Sequence, residues 1–309
     1  MNMLTRWFTL VGAAVSGYAL WKLAAPEVVQ RRRSPFLATA PPDATALVTG
    51  ASSGIGAAFA RQLARYGYHL ILHGRRQERL DALAEDLRQR YGVRARTVNA
   101  DLSREEGIQH VAALAEELAE AGALDILVNN AGFGTTERFA ELPAERHLAM
   151  LNVHVTASVC LTRAVLPGML ARRRGGVINV ASVAGWFPLP GNVTYSATKR
   201  YLVNFSQALQ MELWGSGVFV QALCPGFTFS EFHDAPPFRA VGFRRDAVPS
   251  VLWQSAEQVV EASLNQLGSG EVICVPGAHN RALVLLSGLL PRSAVQTARR
   301  LMGGLGVLG

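Results

Sequence analysis

A glycine-rich turn between two regular segments constrains the fold of this 309-residue chain more than any other feature. The turn reads TGASSGIG (residues 49–56), follows the apolar run TALV and leads into the amphipathic run AAFARQLARYG. Gly50, Gly54 and Gly56 permit a tight turn, close approach of the backbone to a pyrophosphate and close packing of a helix on a strand. The free N–H groups at the start of such a helix bind phosphate. A strand followed by this turn and a helix therefore predicts a dinucleotide-binding site.

Apolar runs alternate with helical patterns along the rest of the chain. The later strand candidates are YHLILHG, VRARTVNAD, LDILVNNAG, GVINVAS, GVFVQALCPG and EVICVPG. Helical stretches such as the charged RQERLDALAEDLRQRYG separate them. Strands that alternate with helices predict an α/β fold with a parallel sheet covered on both faces. We expect one catalytic domain over residues 44–277.

The end of the second strand candidate indicates which dinucleotide is bound. An acidic residue at this point accepts hydrogen bonds from the ribose hydroxyls of NAD(H). Here the chain reads His73-Gly74-Arg75-Arg76, and no carboxylate follows until Glu78. An arginine pairs bidentately with a 2′-phosphate, so Arg75 and Arg76 predict NADP(H) rather than NAD(H). The alternative is that both arginines only begin a surface helix.

The stretch YSATK (195–199) places Tyr195 and Lys199 four residues apart, with Ser182 upstream. If the segment is helical, the phenol and the ammonium lie on one face. A neighbouring cation favours the phenolate and lowers the pKa of a tyrosine from its ordinary value of about 10. The alternative is an ordinary exposed pair of polar residues.

Several motifs together resemble the short-chain dehydrogenase/reductase family. They are TGASSGIG (49–56), NNAG (129–132), Asn152 in MLNVHV, Ser182 in NVASVAG, YSATK (195–199) and PGFT (225–228). The resemblance extends from about Thr45 to Gly277, and the motifs occur in the order and at the separations typical of the family.

The resemblance implies a doubly wound parallel sheet of Rossmann type and hydride transfer between nicotinamide and a carbonyl or alcohol carbon. It implies that Tyr195 is the general acid/base, Lys199 its electrostatic partner, Ser182 the residue that orients the substrate, and Asn152 a proton-relay residue. His154, on the same helical segment as Asn152, is interpreted as a packing residue.

The turn, the arginines and the resemblance together predict a set of cofactor contacts. Asp101 and Leu102 are expected beside the adenine, and the residues from Pro225 to Thr228 near the nicotinamide. The full set is Gly50, Ser52, Ser53, Gly54, Ile55, Gly56, Arg75, Arg76, Asp101, Leu102, Asn129, Ala131, Gly132, Tyr195, Lys199, Pro225, Gly226 and Thr228.

The N-terminal region has the composition of a membrane anchor. The run from Trp7 to Trp21 carries no charge, and residues 4–25 are interrupted only by Arg6 and Lys22. Arg31 to Arg33 follow, and the positive-inside rule places such a flank, and the domain after it, on the cytoplasmic side. A cleaved signal peptide and a helix packed on the domain are the alternatives, and a cytoplasmic protein would result from the latter. Residues 34–43 are expected to be an irregular linker.

Composition restricts the partners. The net charge of +7 comes largely from arginine clusters, but no nucleic-acid-binding motif accompanies them, so we expect no nucleic-acid partner. Anionic lipid and a phosphorylated cofactor fit two of the clusters, and the others, including Arg172 to Arg174, are interpreted as solvated surface. The histidines and cysteines have no metal-ligand spacing, so we expect no metal site.

The segment after the PG turn predicts the substrate region. It reads TFSEFHDAPPFRAVGFRRDAVPSVLW and is rich in Phe and Pro. Apolar walls predict a hydrophobic carbonyl or alcohol substrate, with a lipid-like molecule as one candidate. After this segment, SAEQ (255–258) predicts a capped helix start. Residues 278–309 are expected to be an amphipathic extension that contacts a membrane surface, a second subunit or the pocket.

The leading hypothesis is an NADP(H)-dependent oxidoreductase held at a membrane. An epimerase or dehydratase of the same family is one alternative, and a redox sensor or scaffold that binds NADPH without turnover is another. Relatives in the family associate through helices, so a homodimer or homotetramer is expected.

Overall fold

A computed structural model describes residues 34–38, 41–187, 191–235, 238 and 245–289. Its centre is a seven-stranded parallel sheet. The strands are β1 (Thr45–Val48), β2 (His69–Gly74), β3 (Ala95–Asn99), β4 (Leu124–Asn129), β5 (Gly175–Val180), β6 (Val218–Leu223) and β9 (Ile273–Cys274), and β7 (Thr228–Phe229) and β8 (Gln254–Ser255) lie outside this sheet. The order across the sheet is β3-β2-β1-β4-β5-β6-β9. Each strand of the sheet lies within a strand candidate from the sequence analysis, except that β5 begins one residue before GVINVAS. The α/β prediction and the doubly wound parallel sheet are therefore confirmed.

Helices connect the strands and cover the sheet. They are α1 (Pro35–Ala38), α2 (Gly54–Arg65), α3 (Gln77–Tyr91), α4 (Glu105–Glu120), α5 (Ala144–Leu151), α6 (Ala157–Ala171), α7 (Val193–Glu212), α8 (Ala256–Gln266) and α9 (Ala278–Leu289). Short 3₁₀ turns occur at Val183–Gly185, Glu231–Asp234, Arg245–Ala247 and Ser250–Leu252, and a π-helical turn at Asn152–Thr156 joins α5 to α6.

Strand β1 alternates its side chains between two cores. Ala46 and Val48 pack against α2, α3 and α8, whereas Leu47 packs against α4 and α6. A strand buried on both faces explains why TALV contains no charged residue. Because the strand order reverses beside β1, a crevice opens at the carboxyl ends of β1 and β4.

The linker expected over residues 34–43 is not irregular throughout. Residues Pro35–Ala38 form helix α1, and Phe36 and Leu37 are buried. The Phe36 ring meets the Phe219 ring edge-on at 5.9 Å, and the Ser34 hydroxyl donates to the carbonyl of Leu267. These contacts are with residues far along the chain, so local turn signals could not predict them.

The triple arginine Arg172 to Arg174 is not the solvated surface that we expected. Asp125 on β4 is buried, and its carboxylate pairs with Arg174 Nε at 2.7 Å and with Arg172 Nη2 at 3.6 Å. Arg174 also donates to the Phe36 carbonyl at 3.1 Å. A buried carboxylate requires such partners, which accounts for two of the three arginines.

Two further strands lie outside the main sheet. β7 (Thr228–Phe229) pairs in parallel with β8 (Gln254–Ser255). Ser255 then caps α8, and its hydroxyl accepts from the Gln258 amide at 3.1 Å while Gln258 Oε1 accepts from the Ser255 amide at 2.9 Å. The helix start predicted from SAEQ is therefore confirmed, whereas the β7–β8 pair was not predicted.

The expected membrane anchor at residues 4–25 lies outside the described part of the chain. Within that part, one helical stretch, Ala144–Ala171, has the length and apolar composition that could cross a membrane. Its residues Leu161, Val165 and Met169 are buried against α4 and the sheet, so it is a core element of the domain and only weak evidence for a membrane.

Candidate active site

A cleft of about 1660 Å³ opens at the carboxyl ends of the parallel strands. It extends from the glycine-rich turn and the end of β2 to the start of α7 and the segment after β7. Most of the predicted cofactor contacts line it, namely Gly50, Ser52, Ser53, Gly54, Ile55, Arg75, Arg76, Asp101, Leu102, Ala131, Gly132, Tyr195, Lys199, Pro225, Gly226 and Thr228. Gly56, Asn129 and Asn152 are not among the lining residues.

The glycine-rich turn is shaped by close contacts of the backbone. Gly50 has a φ of +65°, and a Cβ there would lie 2.9 Å from the Cα of Ala131. A Cβ at Gly56 would collide with the carbonyl of Gly50, so Gly56 supports the turn from beneath. Ser53 precedes α2 without a side-chain cap, which leaves the N–H groups of the first turn available to an anion.

The motif NNAG fastens β4 to this turn. The Asn130 side chain donates to the Thr49 carbonyl at 2.8 Å, and the Thr49 hydroxyl accepts from the Ala131 amide at 3.0 Å. Asn129 instead points into the protein, where it donates to Asn179 Oδ1 at 2.8 Å. Asn130 therefore lines the cleft, although the predicted contact set omits it. Asn129, which that set includes, lies beneath the cleft in the core.

Arg76 forms one end of the cleft together with the glycine-rich turn. Its guanidinium donates to the Ser52 hydroxyl at 3.0 Å and to the Ser53 hydroxyl at 2.8 Å. Two hydroxyls and a guanidinium make a set of donors suited to phosphate oxygens. Among the described residues the Arg75 guanidinium donates no hydrogen bond, so it is available to a ligand. The residues present therefore fit a phosphorylated dinucleotide.

The predicted catalytic residues Ser182, Tyr195 and Lys199 meet at the other end of the cleft. The Ser182 hydroxyl accepts from the Ala184 amide at 3.1 Å, and the Ser182 side chain is close enough to the Tyr195 phenol to lower the pKa of that phenol. Lys199 is buried, and its ammonium donates to the Val180 carbonyl at 2.8 Å and lies 5.7 Å from the centre of the Tyr195 ring. Helix α7 presents both residues on one face, as their spacing predicts.

Burial shifts the pKa values of Tyr195 and Lys199 in this cluster. It raises the pKa of Tyr195 to about 12, although the neighbouring Ser182 side chain opposes the shift. It lowers the pKa of Lys199 to about 8. The expected lowering of the tyrosine pKa is therefore not seen in the protein alone, because burial disfavours the charged phenolate more than the Ser182 side chain stabilises it. A protonated phenol is suited to donating a proton.

Asn152 does not line the cleft. It begins the π-helical turn, and its side chain donates to the Ser103 carbonyl at 2.9 Å. The Asn152 carbonyl accepts from the Ala157 amide, five residues along the chain. π-Helical turns are frequent at functional sites, and the relay role of Asn152 stays a prediction.

His154 has a larger part in the site than the packing role we assigned to it. It is buried, its Nε2 accepts from the Phe133 amide at 3.1 Å, and its Nδ1 lies 2.9 Å from the Thr198 hydroxyl. Since Nε2 accepts, Nδ1 carries the proton and donates to Thr198. The Thr198 hydroxyl in turn donates to the Tyr195 carbonyl at 2.8 Å. His154 thus positions α7, and its place two residues after Asn152 was the available signal.

Aromatic side chains surround the Tyr195 end of the cleft. The Phe232 ring lies 5.8 Å from the Tyr195 ring and 5.3 Å from the Phe238 ring, between centroids. Leu283 on α9 completes this wall. Asn280 fastens α9 by donating to Gln254 Oε1 at 2.9 Å. The described part of the C-terminal extension therefore borders the pocket.

Metal ligands do not gather at this cleft. In the described ranges, no group of three or more His, Cys, Asp or Glu residues is placed to bind a metal ion. The chemistry that the cleft itself offers is proton donation by a phenol beside a hydroxyl and an ammonium.

Comparison with known proteins agrees with this geometry. The model of the short chain dehydrogenase family matches residues 44–235. An uncharacterized oxidoreductase of Myxococcus xanthus is 39% identical over 228 residues, 69% of this chain and 88% of the relative. Very-long-chain 3-oxoacyl-CoA reductase-A of Danio rerio is 31% identical over 264 residues, 84% of this chain and 75% of the relative.

Solved structures give the same result. A short-chain dehydrogenase from Sphingobium yanoikuyae in complex with NADPH has 34% identity and a TM-score of 0.70, and covers 85% of this chain and 95% of its own. A bulky-bulky ketone specific alcohol dehydrogenase from Comamonas testosteroni has 30% identity and a TM-score of 0.66. The match covers 82% of this chain and 94% of that dehydrogenase. The chain therefore belongs to the short-chain dehydrogenase/reductase family and is an NAD(P)-dependent oxidoreductase.

Proposed function

We propose that the protein is an NADPH-dependent reductase of hydrophobic ketones, with long-chain 3-oxoacyl thioesters as the leading substrate class. The observation that carries the proposal is the aromatic wall at the proton donor. The Phe232 ring packs against the Tyr195 ring and against the Phe238 ring, so an apolar surface lies beside the phenol. Apolar walls bind apolar substituents of a ketone but select weakly among them. Relatives named for very-long-chain 3-oxoacyl-CoA and for bulky ketones support this class.

The roles of the residues follow from the charge that forms on the substrate. When bound, NADPH supplies a hydride. The ketone oxygen then gains negative charge, which a proton donor and a hydrogen-bond donor already in position stabilise. Tyr195 donates the proton, and the Ser182 hydroxyl holds the oxygen. The Lys199 ammonium lowers the free energy of the tyrosinate that remains.

Preference for NADP(H) over NAD(H) is part of the proposal. Arg76 with the hydroxyls of Ser52 and Ser53, together with Arg75, supports binding of a 2′-phosphate. His73 and Gly74 supply no carboxylate that would repel it. Arg75→Asp or Arg76→Asp is expected to lower the NADPH/NADH ratio of kcat/KM by about tenfold or more. An unchanged ratio in both variants would remove the NADP(H) preference.

The direct test is NADPH oxidation with a panel of small ketones, steroids and 3-oxoacyl thioesters. We expect turnover to rise with the size of the apolar substituent. Tyr195→Phe is expected to reduce kcat by about 10²–10⁴-fold while the Kd for NADPH is kept. Tight NADPH binding without turnover across the panel would favour the redox-sensor alternative, and full activity of Tyr195→Phe would remove Tyr195 from the mechanism.

We further propose that residues 4–25 associate the enzyme with a membrane and that the catalytic domain faces the cytoplasm. The apolar sequence followed by Arg31 to Arg33 supports this arrangement. Deletion of residues 1–33 is expected to move the protein from the membrane pellet to the supernatant. Unchanged pelleting would assign membrane attachment to residues 278–309 instead.

A further inference from the structure

The cationic end of the cleft contains a carboxylate that the motifs do not account for. Glu231 Oε2 accepts from Arg76 Nη1 at 2.7 Å, and Glu231 Oε1 accepts from Arg79 Nη1 at 2.5 Å. Each carboxylate oxygen therefore has its own guanidinium. The Arg76 that binds Glu231 is the same side chain that donates to Ser52 and Ser53.

Glu231 reaches these arginines from the opposite wall of the cleft. It lies 155 residues from Arg76 in sequence, in the segment that follows β7. The preceding residue, Ser230, lies over the glycine-rich turn, since a Cβ at Gly54 would be 3.0 Å from the Ser230 Cβ. The next residue, Phe232, contacts the Tyr195 ring. Ser230 to Phe232, here called the strap, thus touches the phosphate turn, the same arginines and the catalytic tyrosine.

A carboxylate and a phosphate compete for the same donors. Both accept charge-assisted hydrogen bonds from guanidinium groups, and like charges repel when they share a site. The hydrogen bond from Arg76 lowers the pKa of Glu231, so the carboxylate is ionised at neutral pH. Arg76, Arg79 and Glu231 are all partly exposed, so the ion pairs are weak enough to be exchanged for a ligand.

We propose that Glu231 and Arg79 determine cofactor specificity: the Glu231 carboxylate is an internal ligand of the Arg76–Arg79 pair, and a 2′-phosphate must displace it. This inference rests on the proposed NADP(H) dependence and adds two residues to it. Arg79 becomes a phosphate ligand beyond Arg75 and Arg76. Glu231 becomes a competitor that weakens NADPH binding and links the 2′-phosphate to the strap over Tyr195.

Two adenine nucleotides that differ only in the 2′-phosphate test the proposal without turnover. The full chain is titrated calorimetrically with adenosine 2′,5′-bisphosphate and with adenosine 5′-monophosphate. Glu231→Gln removes the charge but keeps the shape, and is expected to tighten binding of the bisphosphate about three- to tenfold without affecting the monophosphate. In the Glu231→Gln background, Arg79→Gln is expected to weaken the bisphosphate by a similar factor of about three to ten.

Glu78→Gln is the matched control. Glu78 lies between Arg76 and Arg79 in sequence and pairs with neither arginine, so removing its charge is expected to change bisphosphate affinity by less than about twofold. An equal effect of Glu78→Gln and Glu231→Gln, or no tightening in Glu231→Gln, would overturn the inference. If the parent protein still preferred the bisphosphate, the NADP(H) proposal would stand. Equal affinities for the two nucleotides in every variant would overturn both.

Hydrogen exchange of the strap amides gives a second readout. The Phe232 amide donates to the Ser230 hydroxyl within the strap at 3.3 Å, and this local turn is expected to loosen when the Glu231 ion pairs that hold the strap are broken. The bisphosphate is expected to accelerate exchange in residues 230–235, whereas the monophosphate leaves it unchanged. Glu231→Gln is expected to exchange faster before any ligand is added. Slower exchange with the bisphosphate would mean that the strap closes over the ligand, which contradicts displacement.

Discussion

At the scale of single residues, Lys199 owes its properties to burial as much as to its neighbour. Its ammonium is enclosed by the sheet and α7, with the Val180 carbonyl as a hydrogen-bond acceptor. Burial lowers its pKa to about 8 and raises the pKa of Tyr195 to about 12. Of the two residues, Lys199 is therefore the one that titrates close to neutral pH.

This assignment predicts the alkaline side of the pH profile. The Lys199 cation is present below pH 8 and lost above it, so kcat/KM for ketone reduction is expected to fall as pH rises through about 8. Lys199→Arg keeps a cation to much higher pH and is expected to remove this limb, with the urea unfolding midpoint as the check on folding. A limb near 8 that persists in Lys199→Arg would assign the titration to another group.

His73 predicts a loss of stability in acid. It is buried at the end of β2, where Nε2 donates to the Ala100 carbonyl at 3.1 Å, and burial lowers its pKa to about 4. The unfolded chain therefore takes up a proton near pH 6.5 that the folded chain resists, and stability present above about 6.5 is lost as pH falls towards 4.

Urea unfolding midpoints at pH about 7.5 and about 5 measure this effect. His73→Gln keeps a hydrogen-bond donor near the Nε2 position and does not titrate. The urea midpoint of this variant is therefore expected to fall less between the two pH values than the midpoint of the parent protein. Part of the fall is expected to remain, because burial also lowers the pKa of His154. Equal falls in the two proteins would contradict a titrating His73.

At the scale of helices and strands, local sequence patterns predicted those elements whose structure depends mainly on their own residues. The seven sheet strands follow from apolar runs, and the α8 start follows from Ser255 and Gln258, which satisfy each other. The β7–β8 pair, helix α1 and the π-helical turn depend on contacts with distant residues. No local pattern in the sequence indicates those contacts.

The Asp125 ion pairs predict a large cost of truncation. The carboxylate joins β4 to the α6–β5 connection through Arg174 and Arg172, and Arg172 also donates to the carbonyls of Ala119 and Leu124 at 2.7 Å each. Asp125→Ala leaves partly buried cations without their partner and is expected to cost about 3–5 kcal/mol. Urea unfolding measures it.

Glu85→Ala is the control, because it breaks an exposed pair with Arg88 at 3.3 Å. Its cost is expected to be at most about 1 kcal/mol. Similar losses in the two variants would show that the Asp125 carboxylate contributes no more than a surface pair.

At the scale of the whole molecule, sequence motifs identified most of the cleft but not how its walls meet. The glycine-rich turn, the arginines and YSATK each carry a local signal for their chemistry. The contacts of Glu231 with Arg76 and of His154 with Thr198 span long stretches of chain. Such contacts depend on the packing of the sheet and helices, so a motif that is read residue by residue does not reveal them.

The last prediction concerns where the folded unit begins. We expected it at residue 44, but Phe36 is 6% exposed and its ring lies 4.6 Å from the Arg174 guanidinium. Phe36→Ala in the full chain is expected to cost about 3–5 kcal/mol of unfolding free energy, as for a core aromatic. Trp214→Ala, at a 79% exposed aromatic, is expected to change it by about 0.5 kcal/mol or less. If Phe36→Ala cost no more than Trp214→Ala in urea unfolding, residues 34–43 would be a linker after all. If it costs what a core residue costs, the folded domain includes the segment around Phe36, close in sequence to Arg31 to Arg33, and a membrane segment before it would hold the domain close to the lipid surface.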